Sequence, residues 1–237
     1  MLHERIKHMK TIGLIGGMSW ESTITYYQII NETIKKKLGG LHSAKILLYS
    51  VDFDEIEKCQ SSGNWEQAGK ILTGIAKKLE LAGADCIVIC TNTMHKIAPQ
   101  MQQEIAIPIL HIADTTICRL KKAKINKVGL LGTKYTMEEA FYKERLIKQG
   151  IDVIIPDKKN VDIVNDIIFN ELCLGIIKDS SRQKFAAIIQ SLKNQGAQGV
   201  ILGCTEIGLL IKQKDSVLPA FDTTIIHATS AAEYALE

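Results

Sequence analysis

The segment Gly196-Ala197-Gln198-Gly199-Val200-Ile201-Leu202-Gly203-Cys204-Thr205-Glu206 sets the architecture of this chain, because a second copy of it occurs earlier. The earlier copy, Gly83-Ala84-Asp85-Cys86-Ile87-Val88-Ile89-Cys90-Thr91-Asn92-Thr93, aligns with it without a gap. Each copy is a short apolar run followed by polar residues, which is typical of a buried parallel strand that leads into a helix. The alignment pairs Thr91 with Cys204.

Two further matches extend this internal repeat in both directions. Upstream, residues 11–17 match residues 127–133, and both runs are apolar segments that end in a glycine turn. Downstream, residues 112–116 resemble residues 220–224. Because the three matches occur in the same order, the sequence predicts two pseudo-symmetric halves.

Apolar runs and helical periodicity alternate along both halves. Strands are predicted at residues 10–15, 45–51, 86–90, 107–110, 128–131, 153–155 and 200–202, with helices between them. This alternation predicts an α/β fold with two mainly four-stranded parallel sheets flanked by helices. We predict one domain from residues 1–115 with 216–237, and a second from residues 116–215.

The polar stretches of the repeat all follow predicted strands, after Ile15, Ile89, Leu131 and Leu202. In parallel α/β sheets, ligands bind beyond the carboxyl ends of the strands. We therefore expect two similar sheets that face each other across a cleft and hold the active site there.

Composition excludes several classes of function. The chain has 237 residues, 46% of them hydrophobic, only 5% aromatic, and a net charge of +3. So few aromatic residues and so little charge argue against nucleic-acid binding. No run approaches the roughly 20 apolar residues that cross a bilayer, and the charged residues 1–10 lack a signal-type core, so they are interpreted as a disordered lead-in. We expect a cytoplasmic protein without membrane partners.

Six cysteines at irregular spacing are typical of reduced thiols rather than of a disulfide framework. Zinc is disfavoured as well. Cys86 and Cys90 lie on one predicted strand, where four residues at about 3.3 Å each separate them by roughly 13 Å. No metal site is predicted.

Cys204 stands at a strand-to-helix junction, where a helix N-terminus can lower a thiol pKa and produce a base or nucleophile. Glu206 either orients this thiol or raises its pKa, and the sequence leaves both open. His95 and His111 are acid–base candidates or hydrogen-bonded structural histidines.

Several polar residues at the same predicted sheet edge suit a carboxylate, although each could equally be a helix cap. They are Asn92, Thr93, Thr133 and Thr205. The glycine turn at residues 13–17 does not have the G-x-G-x-x-G spacing of a dinucleotide site, and no acidic residue ends the second strand.

Four motifs together resemble the aspartate/glutamate racemase family over nearly the whole chain. They are GLIGGMSWES (residues 13–22), TNTMH (91–95), GTKYTM (132–137) and GCTE (203–206). The resemblance implies a cofactor-independent homodimer with two cysteines on opposite faces of the substrate, one of them Cys204. It also implies that Asn92, Thr93, Thr133 and Thr205 hold the α-carboxylate, and that Met18, Ser19 and Gln60 line the rim.

The second cysteine of the family pattern is replaced here by Thr91, with Cys90 one place earlier. Side chains alternate along a strand, so Cys90 should point away if Thr91 points into the site. A subgroup described as L-aspartate/glutamate-specific racemases is similar in having threonine there. A hydroxyl is a far weaker acid than a thiol, whose reference pKa is about 8.5. We therefore expect proton transfer to be fast on the face of the substrate next to Cys204 and slow on the face next to Thr91.

The first hypothesis is a racemase without pyridoxal phosphate that interconverts L- and D-aspartate or glutamate, with Cys204 and Thr91 as the catalytic pair. The alternatives are a single-cysteine decarboxylase or cis–trans isomerase of related fold, and a weak binder of acidic amino acids. No cation is assigned to the side-chain carboxylate of the substrate, because Lys58 and Arg182 fall in segments interpreted as loops.

Overall fold

The computed structural model describes residues 8–237, so residues 1–7 of the predicted lead-in lie outside the described part. The chain divides into two compact units. The first runs to His111 and resumes at His227, and the second is Ile112–Ile226. Among residues 8–237, no helix has both the length and the apolar character needed to cross a bilayer.

The first unit contains a three-stranded parallel sheet in the order β2-β1-β3. Its elements are β1 (Thr11–Gly16), α1 (Trp20–Leu38), β2 (Lys45–Ser50), α2 (Phe53–Ser61), α3 (Trp65–Leu81), β3 (Cys86–Ile89), a 3-10 helix (Thr93–Ile97) and α4 (Ala98–Gln102).

The second unit contains a four-stranded parallel sheet in the order β5-β4-β6-β7. Its elements are α5 (Ile112–Lys122), β4 (Lys127–Gly132), α6 (Lys134–Glu138), α7 (Ala140–Ile147), β5 (Asp152–Ile154), α8 (Lys158–Asn170), a 3-10 helix (Leu172–Leu174), α9 (Asp179–Asn194), β6 (Gly199–Gly203), α10 (Ile207–Leu210), a 3-10 helix (Gln213–Asp215) and β7 (Ala220–Asp222). The last helix, α11 (Thr223–Tyr234), begins in this unit and ends in the first.

The predicted α/β class with two parallel sheets is confirmed, and the repeat recurs in individual hydrogen bonds. The Ile87 N–H donates to the Pro108 carbonyl at 2.9 Å, and the equivalent Val200 N–H donates to the Pro219 carbonyl at 2.9 Å. The central pairs β1·β3 and β4·β6 are both parallel.

The first sheet departs from the predicted four strands. Residues 107–110 contribute only an isolated parallel bridge between Ile87 and Ile109. Pro108 has no N–H to donate to a ladder. The N–H groups on either side of it, Ile107 and Ile109, donate instead to the side chains of Glu80 at 3.0 Å and Gln102 at 2.8 Å. Side-chain acceptors thus satisfy these two N–H groups, while the pairing with β3 is limited to the bonds that Pro108 and Leu110 make with Ile87.

Each sheet is covered on both faces by apolar clusters, as expected for a parallel sheet. Along β3 the side chains alternate between two clusters. Ile87 and Ile89 pack with α3 and α4, whereas Cys86, Val88 and Cys90 pack with α1 and with the alanines of α11. Cys90, which continues β3, therefore belongs to the core on the α1 side.

Gly17 follows β1 with a left-handed φ of 91°, and an added Cβ would lie 2.3 Å from the Val51 carbonyl oxygen. Gly83 has almost the same φ, 92°, but its Cβ would meet nothing within 4 Å. We expect Gly83→Ala to lower the free energy of unfolding by about 1–3 kcal/mol, the cost of the backbone strain. Gly17→Ala should cost about 1–3 kcal/mol more, because the close contact is added. Urea unfolding of both variants measures the difference, and equal losses would contradict the steric assignment.

Candidate functional site

Cys204 follows β6 directly and is 8% exposed. Its Sγ donates a hydrogen bond to the Glu206 carboxylate oxygen Oε2 at 2.9 Å, and the Thr205 hydroxyl donates to the same oxygen at 3.0 Å. Glu206 is 2% exposed. The sequence run 204–206 thus folds into a tight turn that places a thiol and a hydroxyl on one buried carboxylate.

The thiol pKa of Cys204 lies well above its ordinary value. Burial is the largest cause, and the negative charge of Glu206 is the next. The predicted lowering of this pKa by a helix N-terminus is therefore wrong. The helix that follows, α10, is only four residues long, so its dipole is small beside a buried carboxylate in hydrogen-bond contact. Glu206 both orients the thiol and raises its pKa.

Replacing Glu206 by glutamine is expected to lower the Cys204 pKa, because it removes the negative charge but keeps a side chain of the same shape. Alkylation of Cys204 by iodoacetamide across pH, followed by peptide mass spectrometry, should show the reactive midpoint at lower pH in Glu206→Gln. Thr205→Val is the matched control, since it removes the other donor to the carboxylate and keeps the charge. An unchanged midpoint in Glu206→Gln would contradict the electrostatic assignment.

The start of α11 supports the 204–206 turn. The Thr224 hydroxyl donates to the Thr205 carbonyl at 3.4 Å, and the Thr223 hydroxyl donates to the Leu202 carbonyl at 2.8 Å. The sequence match between residues 112–116 and 220–224 singled out these threonines without giving them a role. In the structure they hold the backbone on both sides of Cys204.

Thr133 is the N-cap of α6, and its Oγ1 accepts a hydrogen bond from the Thr136 N–H at 3.4 Å. It is 6% exposed, and Thr205 is 3% exposed. Thr133 thus has the helix-cap role that was one of its two interpretations. Its hydroxyl also lies within 3.3 Å of the Thr136 hydroxyl, so donors cluster at this end of β4.

In the first unit, Thr91 and Cys90 have different surroundings. Cys90 is fully buried, its Sγ lies 3.8 Å from the Val88 carbonyl oxygen, and burial raises its pKa far above the ordinary value. Thr91 is half-buried, and its N–H donates to the Ile89 carbonyl at 2.8 Å. Cys90 is therefore poorly suited to proton transfer.

Asn92 and Thr93 are 2% and 5% exposed and begin the 3-10 helix Thr93–Ile97. The Asn92 carbonyl accepts from the His95 N–H at 3.1 Å. One residue further back, the Thr91 carbonyl oxygen lies 2.7 Å from His95 Nδ1. The TNTMH motif is thus a short turn closed by its own histidine.

The predicted rim residues Met18, Ser19 and Gln60 are all buried in the first unit, at 2%, 3% and 4% exposure. Gln60 Nε2 lies 3.0 Å from the sulfur of Met94, which belongs to the TNTMH motif. Met18 is in the same apolar cluster as Met94. Side chains from two separate sequence motifs of this unit therefore belong to one apolar cluster.

Tyr26 and His227 were missed by reasoning from sequence. The Tyr26 hydroxyl lies 2.9 Å from His227 Nδ1, across 201 residues of chain, and both side chains are fully buried. No local pattern marks either residue, because Tyr26 shares the buried face of α1 with Ser22 and Thr23 as well as isoleucines, and His227 lies among buried threonines and alanines of α11. The only available signal was an ionisable residue at a core position of a predicted helix.

The two cations considered for a distal carboxylate lie in helices, not in the loops that the sequence suggested. Lys58 is in α2 and pairs with Asp54 at 2.5 Å. Arg182 is in α9, where its guanidinium contacts Asp179, Asp215 and the Leu210 carbonyl. Within residues 8–237, no three His, Cys, Asp or Glu side chains are grouped so as to hold a metal ion.

Comparison with protein families places this architecture among known proteins. The family model described as Asp/Glu/Hydantoin racemase matches residues 15–231. The broad specificity amino-acid racemase RacX of Bacillus subtilis is 26% identical over 235 residues, which cover 92% of this chain and 95% of the relative.

Solved structures agree. A candidate Asp/Glu racemase from Yersinia pestis is 56% identical, with a TM-score of 0.90, and the match covers 97% of this chain and 100% of that one. An aspartate racemase homologue from Pyrococcus horikoshii is 37% identical with a TM-score of 0.84, again over 97% and 100% of the two chains. The family resemblance inferred from the four motifs is confirmed.

Proposed function

Because this chain belongs to the Asp/Glu/Hydantoin racemase family and is an amino-acid racemase, an isomerase, we propose that it interconverts L- and D-aspartate or glutamate without pyridoxal phosphate. The observation that carries the proposal is the Cys204 thiol at the end of β6, 2.9 Å from a buried carboxylate. The acidic substrates are chosen because two similar structures are described as a candidate Asp/Glu racemase and an aspartate racemase homologue.

In the proposed reaction, the Cα–H bond breaks on one face and a new Cα–H bond forms on the other. The electron pair left on Cα is delocalised into the α-carboxylate between the two steps. Because its pKa is raised, Cys204 rests as a thiol and can donate its proton to Cα directly. It becomes the base once its proton has passed to Glu206, whose oxygen accepts the thiol hydrogen bond. Such groups typically contribute about 10²- to 10⁴-fold to a rate.

Thr91, the counterpart of Cys204 in the repeat, is proposed as the group on the second face. Its hydroxyl gives a proton to Cα, or takes one, and exchanges it with solvent. The α-carboxylate is proposed to bind to the hydroxyls and amide of Asn92, Thr93, Thr133 and Thr205, with Met18, Ser19 and Gln60 at the rim. The burial of the four carboxylate-binding side chains in their own units supports this assignment, since fixed donors stabilise a developing charge best.

Cα deuterium uptake in heavy water tests the function. We expect uptake and inversion with aspartate or glutamate. Maleate and substituted malonates serve as comparison substrates, and their consumption without Cα exchange of any acidic amino acid would favour the isomerase or decarboxylase alternative. A rise in melting temperature with acidic amino acids in the absence of exchange would identify a binder and overturn the racemase proposal.

We also propose that the enzyme is a cytoplasmic homodimer. The helix α1 exposes apolar side chains at one-turn spacing, with Trp20 60%, Ile24 55% and Tyr27 54% exposed, and the edge strand β2 exposes Leu48. A second copy would cover this face. The free cysteines suit a reducing compartment. Light scattering should give the dimer mass for the wild type and the monomer mass for Ile24→Glu, whereas a monomeric wild type would contradict the proposal.

A further inference from the structure

Four buried side chains of the first unit form what we term the histidine cluster: Tyr26, His95, His111 and His227. Their exposed fractions are 0%, 1%, 8% and 0%. The ring centroids of His95 and His111 are 4.6 Å apart, and those of His95 and His227 are 5.5 Å apart. So many ionisable rings in one core are unusual, because a buried polar group costs free energy unless it is hydrogen-bonded.

The hydrogen bonds of the cluster assign its tautomers. His227 Nε2 lies 2.7 Å from the Leu110 carbonyl oxygen, which can only accept, so Nε2 carries the proton. His227 Nδ1 then accepts from the Tyr26 hydroxyl at 2.9 Å. By the same reasoning, His95 Nδ1–H donates to the Thr91 carbonyl oxygen at 2.7 Å.

Burial keeps the rings of His95 and His227 neutral. It lowers the pKa of His95 well below 6.5, with the neighbouring histidines adding to the effect, and it lowers the pKa of His227 to about 4. At neutral pH the rings of His95 and His227 therefore carry one N–H each, and that of His95 is assigned to the Thr91 carbonyl rather than to Leu110, whose carbonyl already accepts from His227. A neutral imidazole with its proton already donated to a carbonyl is a structural support rather than a proton carrier.

The bond from His95 matters because of where Thr91 lies. Thr91 is the first residue beyond β3, and its own N–H donates back to the Ile89 carbonyl at 2.8 Å. With His95 bound to its carbonyl, both backbone polar groups of Thr91 have fixed partners. A group that transfers a proton must be held within about 0.5 Å of its productive position. Hydrogen bonds to the backbone on either side of the side chain supply that restraint.

We propose that His95 is a positioning residue for Thr91, acting through its Nδ1–H bond to the Thr91 carbonyl and held in place by the rest of the histidine cluster. This inference rests on the proposed function, in which the Thr91 hydroxyl serves one face of Cα. His95 makes no proton transfer to the substrate. The sequence allowed His95 to be either an acid–base group or a hydrogen-bonded structural histidine. We adopt the second interpretation, and the effect of His95 on catalysis is indirect, through the position of Thr91.

The amides of asparagine and glutamine provide a matched pair of test variants. In His95→Asn the amide nitrogen can take the position of Nδ1, so the donor to the Thr91 carbonyl is retained. In His95→Gln the amide nitrogen takes the position of Nε2, so that donor is lost although the side chain stays polar.

Two rates are measured, starting from the enantiomer that Cys204 deprotonates: the rate of inversion, and the rate of deuterium exchange without inversion (retention). The quantity compared between variants is the first rate divided by the second. That enantiomer is the one that shows more exchange with retention in the wild type. The carbanion is then reprotonated either by Cys204, which gives retention, or from the Thr91 face, which gives inversion. We expect His95→Gln to lower the ratio about tenfold or more and His95→Asn to stay within about threefold of the wild type. A loss of folded protein lowers both processes equally and leaves the ratio unchanged.

The outcomes separate this inference from the proposed function. Equal ratios in His95→Asn, His95→Gln and the wild type would overturn the positioning role while leaving the racemase proposal intact. A fall in both variants by the same factor would also overturn it, because the donor position would then be irrelevant. An absence of Cα exchange in the wild type would instead remove the proposed function itself, whatever the variants do.

Discussion

Replacing Cys204 by alanine is expected to lower Cα deuterium uptake from aspartate or glutamate about 10²- to 10⁴-fold, because it removes the thiol that is proposed to take the proton from Cα. Glu206 would lose the thiol that donates to it at 2.9 Å and would keep the Thr205 hydroxyl at 3.0 Å. The buried carboxylate therefore retains a partner, and the variant should still fold. Proton NMR of the Cα signal in heavy water measures the loss.

The control for this prediction is Cys118→Ala, which removes an exposed cysteine from α5 in the same unit. Its uptake should equal that of the wild type. Melting curves of both variants show whether the folded fraction is preserved. If Cys204→Ala exchanged Cα protons at the wild-type rate, Cys204 would not be the catalytic acid and base.

Changing Thr91 to cysteine is expected to raise the rate of inversion about tenfold or more, because a thiol with a reference pKa near 8.5 replaces a hydroxyl that hardly ionises. The side chains are similar in size, and Thr91 is half-buried, so the change should be accommodated. Thr91→Val keeps the shape and removes the hydroxyl, and it should lower inversion. Circular dichroism at a wavelength where the amino acid absorbs follows the reaction from either enantiomer to the common end point, an equal mixture of L and D.

Cys90→Ala separates Thr91 from its neighbour. The Cys90 thiol is fully buried in the core on the α1 side, and its pKa is raised by burial. Its removal should leave the rate of inversion unchanged and cost only stability. If Cys90→Ala lost inversion while Thr91→Val retained it, the roles assigned to these two residues would have to be exchanged.

The elements that position the candidate site could be predicted from sequence because their signals are local. The unbroken apolar run at residues 86–89 is a strand, and the polar residues that follow it begin a helix, as expected. The fourth strand of the first sheet could not be predicted correctly. Its N–H groups donate to the side chains of Glu80, 27 residues earlier, and Gln102, 7 residues earlier, and no periodicity reveals such side-chain partners.

The electrostatics of the site were less predictable than its residues. Cys204 and Glu206 were recognised, but the direction of the thiol pKa depended on whether the carboxylate or the helix end acts more strongly. The carboxylate acts more strongly, because the Cys204 thiol is hydrogen-bonded to Glu206 at 2.9 Å and α10 is only four residues long. The histidine cluster was hidden for a different reason, since Tyr26 and His227 meet only through the tertiary fold.

The return of α11 to the first unit has a consequence for how the chain is made. Ala228, Ala231, Ala232 and Ala235 are fully buried against β1 and α1, and the Ala235 carbonyl accepts from the Lys10 N–H at 3.0 Å. A ribosome delivers all of Ile112–Ile226 before any of these alanines exists. Because units tend to fold as soon as their residues are available, the second unit is expected to close during translation. The first unit cannot complete its core until α11 has been synthesised, so the middle of this enzyme is expected to fold before its N-terminal part.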